Sequence, residues 1–472
     1  MHALELELAF KEIFPASYDL STYKTSGDLD SLQEYNLDYF RDYNLNLRLR
    51  RQLVELYLNV LEKRQKSDWE GTSFPLLPVY SDVRSDYEDI NLGLRYLSLT
   101  KQNQQKTNLS KLKRSLLQDG QINIETELGY KNGELKRASN WFSGGAYIYD
   151  FLHKLKPHYT LKLALRYGLN DDLELESGLS YTTPLRYKYE YELLFPAGQY
   201  RFIKGTYKLR DNFYFPLKLS YRPKDNFSIS FSSNFSFINQ RLDYWFKDID
   251  DSLTVYPSKE LSYYNTKPEI RLSYLYDAKK QIPQEEFSVL TKQLLLKNQC
   301  LFEFRFQKDI THLSKSPNNG PQNILDPYNV FLYPLEYFVA GSEYATFFCG
   351  NISTFAGNVF PQNYNLLELG FIYGLSDYFN LGLRSGYLSS SSLHHFTLGS
   401  RSDELRSRFY KFRSHLYFDF LCDWQITKNS LLSLKSHFVP NYKTLLNYEK
   451  YTGEFESENR YFAISLAFQM LF

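Results

Sequence analysis

The residues with the greatest capacity for catalysis lie near the C-terminal end of the chain. Two histidines and three charged residues recur there at even spacings, so all five fall on one face of two extended segments. They are His415, Asp419, Asp423, Lys435 and His437. A hydrolase would need a nucleophile or water-activating carboxylates beside one of these histidines. Spacing alone does not join the two segments into a reaction centre, so we predict that the protein is not an enzyme.

Metal and cofactor chemistry has less support still. His394 and His395 are neighbours, and adjacent side chains of an extended chain point to opposite faces, so they do not converge on one ion. We assign them to a surface loop. The three cysteines form no Cys-x-x-Cys pair. The sequence also lacks a glycine-rich phosphate loop and an acidic loop of EF-hand spacing. No metal and no cofactor is predicted.

Charged side chains recur at every second position of many segments, and together they describe one polar face. Nine positions on that face are basic: Lys162, Arg166, Lys218, Arg222, Arg271, Arg305, Arg384, Arg413 and Lys435. Seven are acidic: Glu174, Glu176, Glu269, Glu303, Glu368, Asp419 and Asp423; His415 joins them. A wall of both signs favours polar solutes with weak selectivity for charge. The alternative is that the charges only pair across strands and stiffen a closed barrel.

The opposite face of the same segments is apolar. In the stretch 159–181, Leu161 and Leu163 alternate with polar residues, and the alternation resumes after a tight turn. The same pattern recurs in 215–237 and 366–387. Side chains that alternate with a period of two belong to β-strands, so each stretch is predicted to be a hairpin with one lipophilic face.

Composition narrows the class of protein further. The chain has 472 residues and a net charge of +1, so nothing steers it toward nucleic acid. Aromatic residues make up 18% of the chain, with 42 Tyr and 37 Phe, as suits strands and water–lipid interfaces. No run of about 18–20 apolar residues is present, which excludes spanning helices. A search for apolar runs does not detect the strands of a membrane barrel, because half of the residues in each strand are polar.

The placement of residue types along the strands favours a membrane barrel over a soluble β-sandwich or propeller. Aliphatic residues lie in the middle of the strands, and aromatic residues close the apolar series near the turns, as in the aromatic girdles of membrane barrels. Short turns alternate with long polar segments, and no propeller repeat is visible. We therefore predict an all-β, antiparallel transmembrane barrel of about 12–18 strands.

The chain ends on a strand, SLAFQMLF, with an apolar series at every second position and an aromatic terminal residue. This ending resembles the C-terminal assembly signal of Gram-negative outer-membrane β-barrels. The matching positions are Ser465, Ala467 (where the family usually has Gly), Phe468, Met470 and Phe472. The resemblance implies that the barrel-assembly machinery recognises the segment, which then pairs with the first strand. Two hairpins, YGLNDDLEL and YGLSDYFNL, are similar to periplasmic turns of porin-like and aromatic-compound channels.

The N-terminal part differs from the rest in its charge density and in the spacing of its apolar residues. Residues 3–10 alternate and are predicted to be the first strand, but 28–64 is dense in charge and carries apolar residues at helical spacing. We favour a helix over 28–64, serving as a plug or docking arm, although Leu45, Leu47 and Leu49 suit a strand equally well. The predicted division is an N-terminal segment, 1–85, and a barrel, 86–472. The first residues have no basic region and no continuous apolar region, so no signal peptide is predicted. If the protein is exported, the printed sequence is expected to be a mature form, a version made for expression or an incomplete reading frame.

These features together predict an outer-membrane, porin-like channel that passes small polar solutes. Its expected partners are outer-membrane lipid, the barrel-assembly machinery and the solutes. One alternative is a non-conducting barrel, either an adhesin or a scaffold for a periplasmic or surface protein. A lesser alternative is a soluble all-β binding protein.

Overall fold

The alternation of apolar and polar residues is realised as strands throughout the computed structural model. The structure describes residues 2–13, 16–24, 29–51, 53–73, 77–97, 117, 119–143, 146–194, 200–209, 212–224, 226–247, 253–255, 259–276, 294–315, 364–398, 405–412, 414–427, 429–448 and 454–471. Within these ranges there are 24 strands in one sheet and no helix. The described residues therefore contain no helix with the length and hydropathy needed to cross a membrane.

The first twelve strands cover the N-terminal half of the chain. They are β1 His2–Ile13, β2 Ala16–Lys24, β3 Leu29–Arg51, β4 Val54–Ser73, β5 Leu77–Leu97, β6 Ile122–Ser143, β7 Ala146–Asn170, β8 Leu173–Thr182, β9 Leu185–Leu194, β10 Tyr200–Leu209, β11 Asn212–Lys224 and β12 Phe227–Lys247.

The other twelve strands complete the sheet. They are β13 Leu253–Val255, β14 Lys259–Thr266, β15 Glu269–Tyr276, β16 Cys300–Lys308, β17 Ile310–Lys315, β18 Asn365–Ser376, β19 Phe379–Leu388, β20 Ser391–Leu398, β21 Leu405–Phe412, β22 His415–Thr427, β23 Ser430–Tyr448 and β24 Glu454–Leu471.

Several of these strands are consecutive pieces of one longer run, which we call a stave. Strands β1 and β2, for example, both pair with β3 on one side and β24 on the other. Strands β8–β9, β10–β11, β13–β15, β16–β17, β19–β20 and β21–β22 combine in the same way. The result is a barrel of 16 antiparallel staves, within the range predicted from the sequence.

The barrel is closed by pairing of its first and last strands. The register of β1 with β24 runs from Glu7 opposite Leu471 to Ile13 opposite Ser465. Closure satisfies the backbone groups that an open sheet would leave unpaired at its edges. It confirms the prediction that residues 3–10 form a strand that meets the C-terminal strand.

The helix predicted over 28–64 is wrong. Strand β3 pairs with β1 and β4, and β4 pairs with β5, so these residues are staves of the same barrel as the rest of the chain. The helical spacing arose because Leu49 and Leu56 belong to two different strands on either side of a tight turn. Within each strand the period is two, and Leu49 lies directly opposite Leu56 in the register.

Strand interruptions recur at one level of the wall, on six of the staves between β8 and β22. Breaks fall between β8 and β9, β10 and β11, β14 and β15, β16 and β17, β19 and β20, and β21 and β22, and the register joins them around the wall. Pro184 and Pro268 lie at two of them, and proline has no N–H to donate to a neighbouring strand. We call the part between the short turns and this level the lower tier, and the part beyond it the upper tier.

The lower tier has the dimensions of a bilayer-spanning band. Its separate strands are short: β8 and β19 have 10 residues each, and β16 has 9. A tilted strand needs about 9–11 residues to cross the hydrocarbon core. Part of the upper tier is polar at many successive positions, as in EKRQKSDWEGTS of β4.

Candidate functional site: the concave face of the lower tier

The two faces of the lower tier differ sharply in chemistry. On β7, Leu161 and Leu163 are 54% and 48% exposed, whereas the residues between them are polar or small. Similar exposed apolar residues recur on the other staves, including Leu92, Leu219, Phe302, Leu369 and Phe420. They form a continuous apolar belt around one face of the sheet.

The polar face is the concave one. Side chains of staves that are two apart converge on the inside of a closed sheet and diverge on its outside. The Tyr57 hydroxyl of β4 donates to Glu127 of β6 at 2.9 Å, across β5. On another side of the barrel, Tyr417 of β22 donates to Glu368 of β18 at 2.6 Å, across β19. Both contacts lie on the polar face, so the apolar belt is on the outside.

Arg95 is the centre of one ionic network on this concave face. Its guanidinium pairs with Glu55 at 2.7 Å and with Glu125 at 3.0 Å, and it lies 5.4 Å from the centroid of the Tyr57 ring. Glu125 also pairs with Lys162 at 3.2 Å. One base therefore links three neighbouring staves, and the network continues to a fourth.

A second network occupies the staves from β15 to β19. Arg305 pairs with Glu269 at 2.9 Å, and the Nε atom of Arg384 donates to Glu368 at 3.0 Å. Longer contacts join Arg384 to Glu303 at 3.6 Å and Arg305 to Glu368 at 3.8 Å. Carboxylates and guanidinium groups alternate around this part of the wall, so each charge has neighbours of the opposite sign.

The histidine cluster lies beside this second network and is deeply buried. Asp419 lies 2.5 Å from His437 Nδ1 and 3.6 Å from Lys435 Nζ, and the side chains of Asp419 and His437 are each 1% exposed. The Tyr417 ring packs against His437 with centroids 5.4 Å apart. His437 and Asp419 are therefore in contact, but they lie within a packed ionic wall that also contains Lys435. The packing of this wall explains why both side chains are buried.

A third group lies near the tight turn between β7 and β8. Arg166 pairs with Glu174 at 2.7 Å through two nitrogen donors. The same carboxylate accepts the backbone N–H of Leu117 at 2.7 Å. Glu174 therefore joins Arg166 of β7 to the segment that precedes β6.

The structure places the predicted charged residues on the concave face, with one exception. Arg413 lies outside the described residues. The register puts Lys218 opposite Glu176, and Arg271 pairs with Glu269 at 3.1 Å. Arg222 on β11 and His415 on β22 lie at positions that alternate with the apolar belt, so both are on the concave face. Asp423 accepts a hydrogen bond from Ser433 at 2.6 Å. Whether these residues line a water-filled passage stays a prediction.

Apart from Lys162, sequence reasoning missed the network around Arg95. The missed members fall in strands β4 to β6, and part of β4 had been assigned to the helix. A signal was present, because Arg95 and Glu125 stand at alternating positions in INLGLRYL and INIETELGY. No sequence signal indicates the role of Tyr57, because that role depends on which residue the register places opposite the ring.

Other sequence-based assignments have separate outcomes. His394 and His395 lie on strand β20, so the surface loop predicted for them is wrong.

In the C-terminal strand, Phe468 pairs with Phe10 and Met470 with Leu8, while Ala467 and the buried Ser465 face Lys11 and Ile13. Phe472 lies outside the described residues, and its role as an assembly signal stays a prediction. No group of three or more His, Cys, Asp or Glu within the described ranges is arranged to hold a metal ion.

An apolar groove of about 430 Å³ lies on the convex face, between β15 and β19. Its walls include the contacting rings of Tyr274, Phe302 and Phe371, and its floor includes Ser385. Because Ser385 is small among large neighbours, the belt is indented there. The groove therefore belongs to the outer surface of the barrel and is separate from the ionic networks.

Comparison with solved structures finds other barrels at low identity. No protein-family model matches the chain, and no curated protein sequence does either. The Pseudomonas putida toluene transporter TodX aligns over 99% of this chain and 90% of its own, with 9% identity and a TM-score of 0.41. A Pseudomonas aeruginosa FadL homologue covers the same shares, with 9% identity and a TM-score of 0.39. The outer-membrane protease OmpT from Escherichia coli aligns over 57% of this chain, with a TM-score of 0.26. At these scores the likeness decides neither activity nor substrate.

Proposed function

We propose that the protein is an outer-membrane β-barrel whose interior is an aqueous channel for small polar solutes, with weak selectivity for charge sign. The observation that carries the proposal is the concave face, where carboxylates and guanidinium groups alternate within a closed barrel of 16 staves. Barrels of about 16–18 strands are wide enough to leave an aqueous passage. Balanced charge favours polar solutes of either sign.

The apolar belt supports the membrane location. A water-soluble protein rarely exposes an apolar patch above a few hundred Å², and here exposed leucine and aromatic side chains encircle the lower tier. Aromatic contacts lie near its upper edge, such as Tyr130–Tyr159 and Phe438–Phe462. Aromatic girdles of this kind flank the hydrocarbon band of membrane barrels.

The location can be tested with two adjacent substitutions on β7. Leu163 lies on the convex face in the middle of the belt, and Ala164 is the next residue, on the concave face. Arginine at the bilayer midplane costs about 2–4 kcal/mol on a lipid-facing site. Leu163→Arg should therefore sharply reduce the heat-resistant protein recovered in outer membranes, while Ala164→Arg should reduce it much less. If both variants instead remained abundant and soluble without detergent, the membrane location would be rejected.

The channel is tested by purified protein in planar bilayers and by liposome swelling. We expect stable ion conductance and faster swelling with small sugars and amino acids than with larger ones. The solved neighbours include channels for monoaromatic hydrocarbons, so toluene uptake is a suitable comparison. Conductance together with sugar flux would support the proposal, and toluene uptake without either would overturn the polar-solute assignment.

The second candidate is a non-conducting barrel that presents a surface to another protein. The observation in its favour is the upper tier, since β7 has 25 residues, more than twice what the bilayer requires. A sheet that extends well beyond the belt offers a surface for a partner. A correctly folded sample that conducts no ions would favour this scaffold over the channel.

A further inference from the structure

The concave face of β12 is built from small hydroxyl side chains. Its first inward positions are Ser228, Ser230 and Ser232, which we call the serine strip. The positions between them are Ile229 and Phe231, which belong to the apolar series, so the alternation assigns the serines to the interior. All three serines are partly exposed. The strip is therefore an accessible, uncharged floor on the inner wall.

A basic side chain flanks the serine strip on each of the two neighbouring strands. The register places Lys218 of β11 opposite Ser232, and Arg271 of β15 opposite Ser230. Lys218 is exposed, and the side chain of Arg271 is 46% exposed. Because both residues lie on the concave face of a closed barrel, both are exposed to its interior.

The wall does not fully neutralise these two bases. Within the described residues Lys218 forms no ion pair, although Glu176 lies opposite it on β8. Arg271 pairs with Glu269 at 3.1 Å, but the same carboxylate also pairs with Arg305 at 2.9 Å. Two guanidinium groups therefore share one carboxylate, and the lysine keeps its charge for another partner.

The charge around the strip is therefore locally positive. The concave positions within 218–222, 228–232 and 269–273 hold three bases, one acid and five serines. The concave face as a whole carries both signs in similar numbers. The excess of positive charge beside the strip is thus a local feature of three neighbouring staves.

The separation of the two bases suits a ligand that both contact. Lys218 and Arg271 stand on strands two spacings apart, on the order of 10 Å between their backbones. Side chains two staves apart already meet elsewhere on this face, as Tyr57 and Glu127 do across β5. Across β12 the intervening side chains are short, and their partial exposure shows that the two bases do not cover them. Space for a small group therefore lies over the strip.

We propose that the serine strip, together with Lys218 and Arg271, is a binding site for small solutes that carry a carboxylate group. The inference rests on the proposed channel and names a class of solute for it. An ammonium and a guanidinium group donate strong, charge-assisted hydrogen bonds to a carboxylate, and the guanidinium fork matches its planar shape. The serine hydroxyls are further donors beneath the bound group.

Such a site changes how the channel handles its solutes. Small ions of either sign still pass, because the rest of the wall is balanced. A carboxylate solute, in contrast, stays on the strip for part of its passage, so its flux saturates as its concentration rises. High salt weakens this binding, because exposed charges are screened.

Binding can be measured apart from conduction, with succinate as the probe. Ligand-observed saturation-transfer NMR on the purified barrel in neutral detergent at low salt should show transfer to succinate. Succinamide, which has a similar size and no charge, should show much less. A titration of the transfer gives the affinity, and planar-bilayer conductance is recorded on the same samples.

Three variants test the placement of the site. Lys218→Gln and Arg271→Gln should each weaken succinate binding by about three- to tenfold, as expected for one charge-assisted hydrogen bond in a partly exposed site. Ser230→Leu keeps both bases, fills the space over the strip and should abolish binding. Arg48→Gln is the matched control, because Arg48 is a 36% exposed base that pairs with Glu7 on a distant part of the wall. It should leave the affinity unchanged.

Each outcome decides the inference, and altered gel migration after heating shows that a sample was folded. No transfer to succinate in the folded parent overturns the site, and its conductance then shows separately whether the channel stands. An equal loss of affinity in Arg48→Gln would mean a general effect of wall charge and would also overturn the site. Unchanged binding in Ser230→Leu overturns the role of the strip. A barrel that binds succinate through these residues but conducts no ions keeps the site and rejects the channel.

Discussion

The aromatic ring of Tyr417 lies over Gly386, its partner in the register between β22 and β19. A Cβ atom at Gly386 would overlap that ring. Tyr57 lies over Gly93 in the same manner, between β4 and β5. In both pairs the hydroxyl extends beyond the glycine to a carboxylate on the next stave. Each tyrosine therefore ties three staves together.

The first prediction concerns the space above Gly386. Gly386→Ala should displace the Tyr417 ring and lower the free energy of unfolding by about 1–3 kcal/mol, the usual range for overpacking. Gly370→Ala is the matched control, because its Cβ would only touch Glu303 at an ordinary 3.4 Å. Urea unfolding midpoints in detergent micelles measure both. Equal midpoints for the two variants would contradict the role of the ring.

The hydroxyl of Tyr417 can be tested apart from its ring. Tyr417→Phe keeps the packing over Gly386 and removes the donor to Glu368. A hydrogen bond to a charged group contributes about 1.5–3 kcal/mol, so we expect a loss of that order in the same urea experiment. An unchanged midpoint would show that other donors, such as Arg384, satisfy the carboxylate alone.

Another prediction concerns the buried pair of Lys435 and Asp419. Lys435→Met removes one neighbour of a carboxylate that is 1% exposed, and breaking a buried pair costs up to about 3–5 kcal/mol. Adding Asp419→Asn should recover part of the loss, because no uncompensated charge then remains. The urea midpoints of the single and double variants test this. A double variant less stable than Lys435→Met would refute the explanation.

Much of the fold follows from period-two alternation. Alternation in β7, β8 and β18 predicts both the strands and the face on which their charges lie, and the alternation of 3–10 predicts the strand that closes the barrel. The helix over 28–64 failed because local spacing cannot show where a chain reverses. The turn between β3 and β4 converts an apparent helical repeat into two facing strands.

The parts of the site that could not be predicted depend on distant contacts. Arg305 lies opposite Arg271 in the register, yet it pairs with Glu269 and approaches Glu368 on the other neighbouring strand. Alternation gives the face of each residue but not its partner. The contact between Leu294 and Leu431 is even harder to predict from the sequence, because it requires a chain segment to enter the mouth of the barrel.

The assembly signal predicted from the sequence can be tested at the C-terminus. Deleting Phe472 should reduce membrane-inserted protein several-fold, beyond the loss of about 1.5–3 kcal/mol expected for one buried phenylalanine. Phe462→Ala is the matched control, since Phe462 is a half-exposed aromatic on the same strand. Quantification of folded protein in outer membranes tests it. Similar yields for the two variants would make the terminus an ordinary strand end.

The last prediction concerns charge selectivity. Lys162 and Arg271 have side chains 42% and 46% exposed, and Lys218 is also exposed on the concave face, so reversing them disturbs the wall less than reversing a buried base such as Arg384. Changing these three residues together to Glu should shift the reversal potential toward cations. Changing them to Gln should give roughly half the shift, because three charge units change instead of six. Both shifts should shrink at high salt, since the Debye length falls from about 10 Å at 0.1 M to about 3 Å at 1 M. A conducting channel whose reversal potential ignores both triple variants would mean that this wall does not set selectivity.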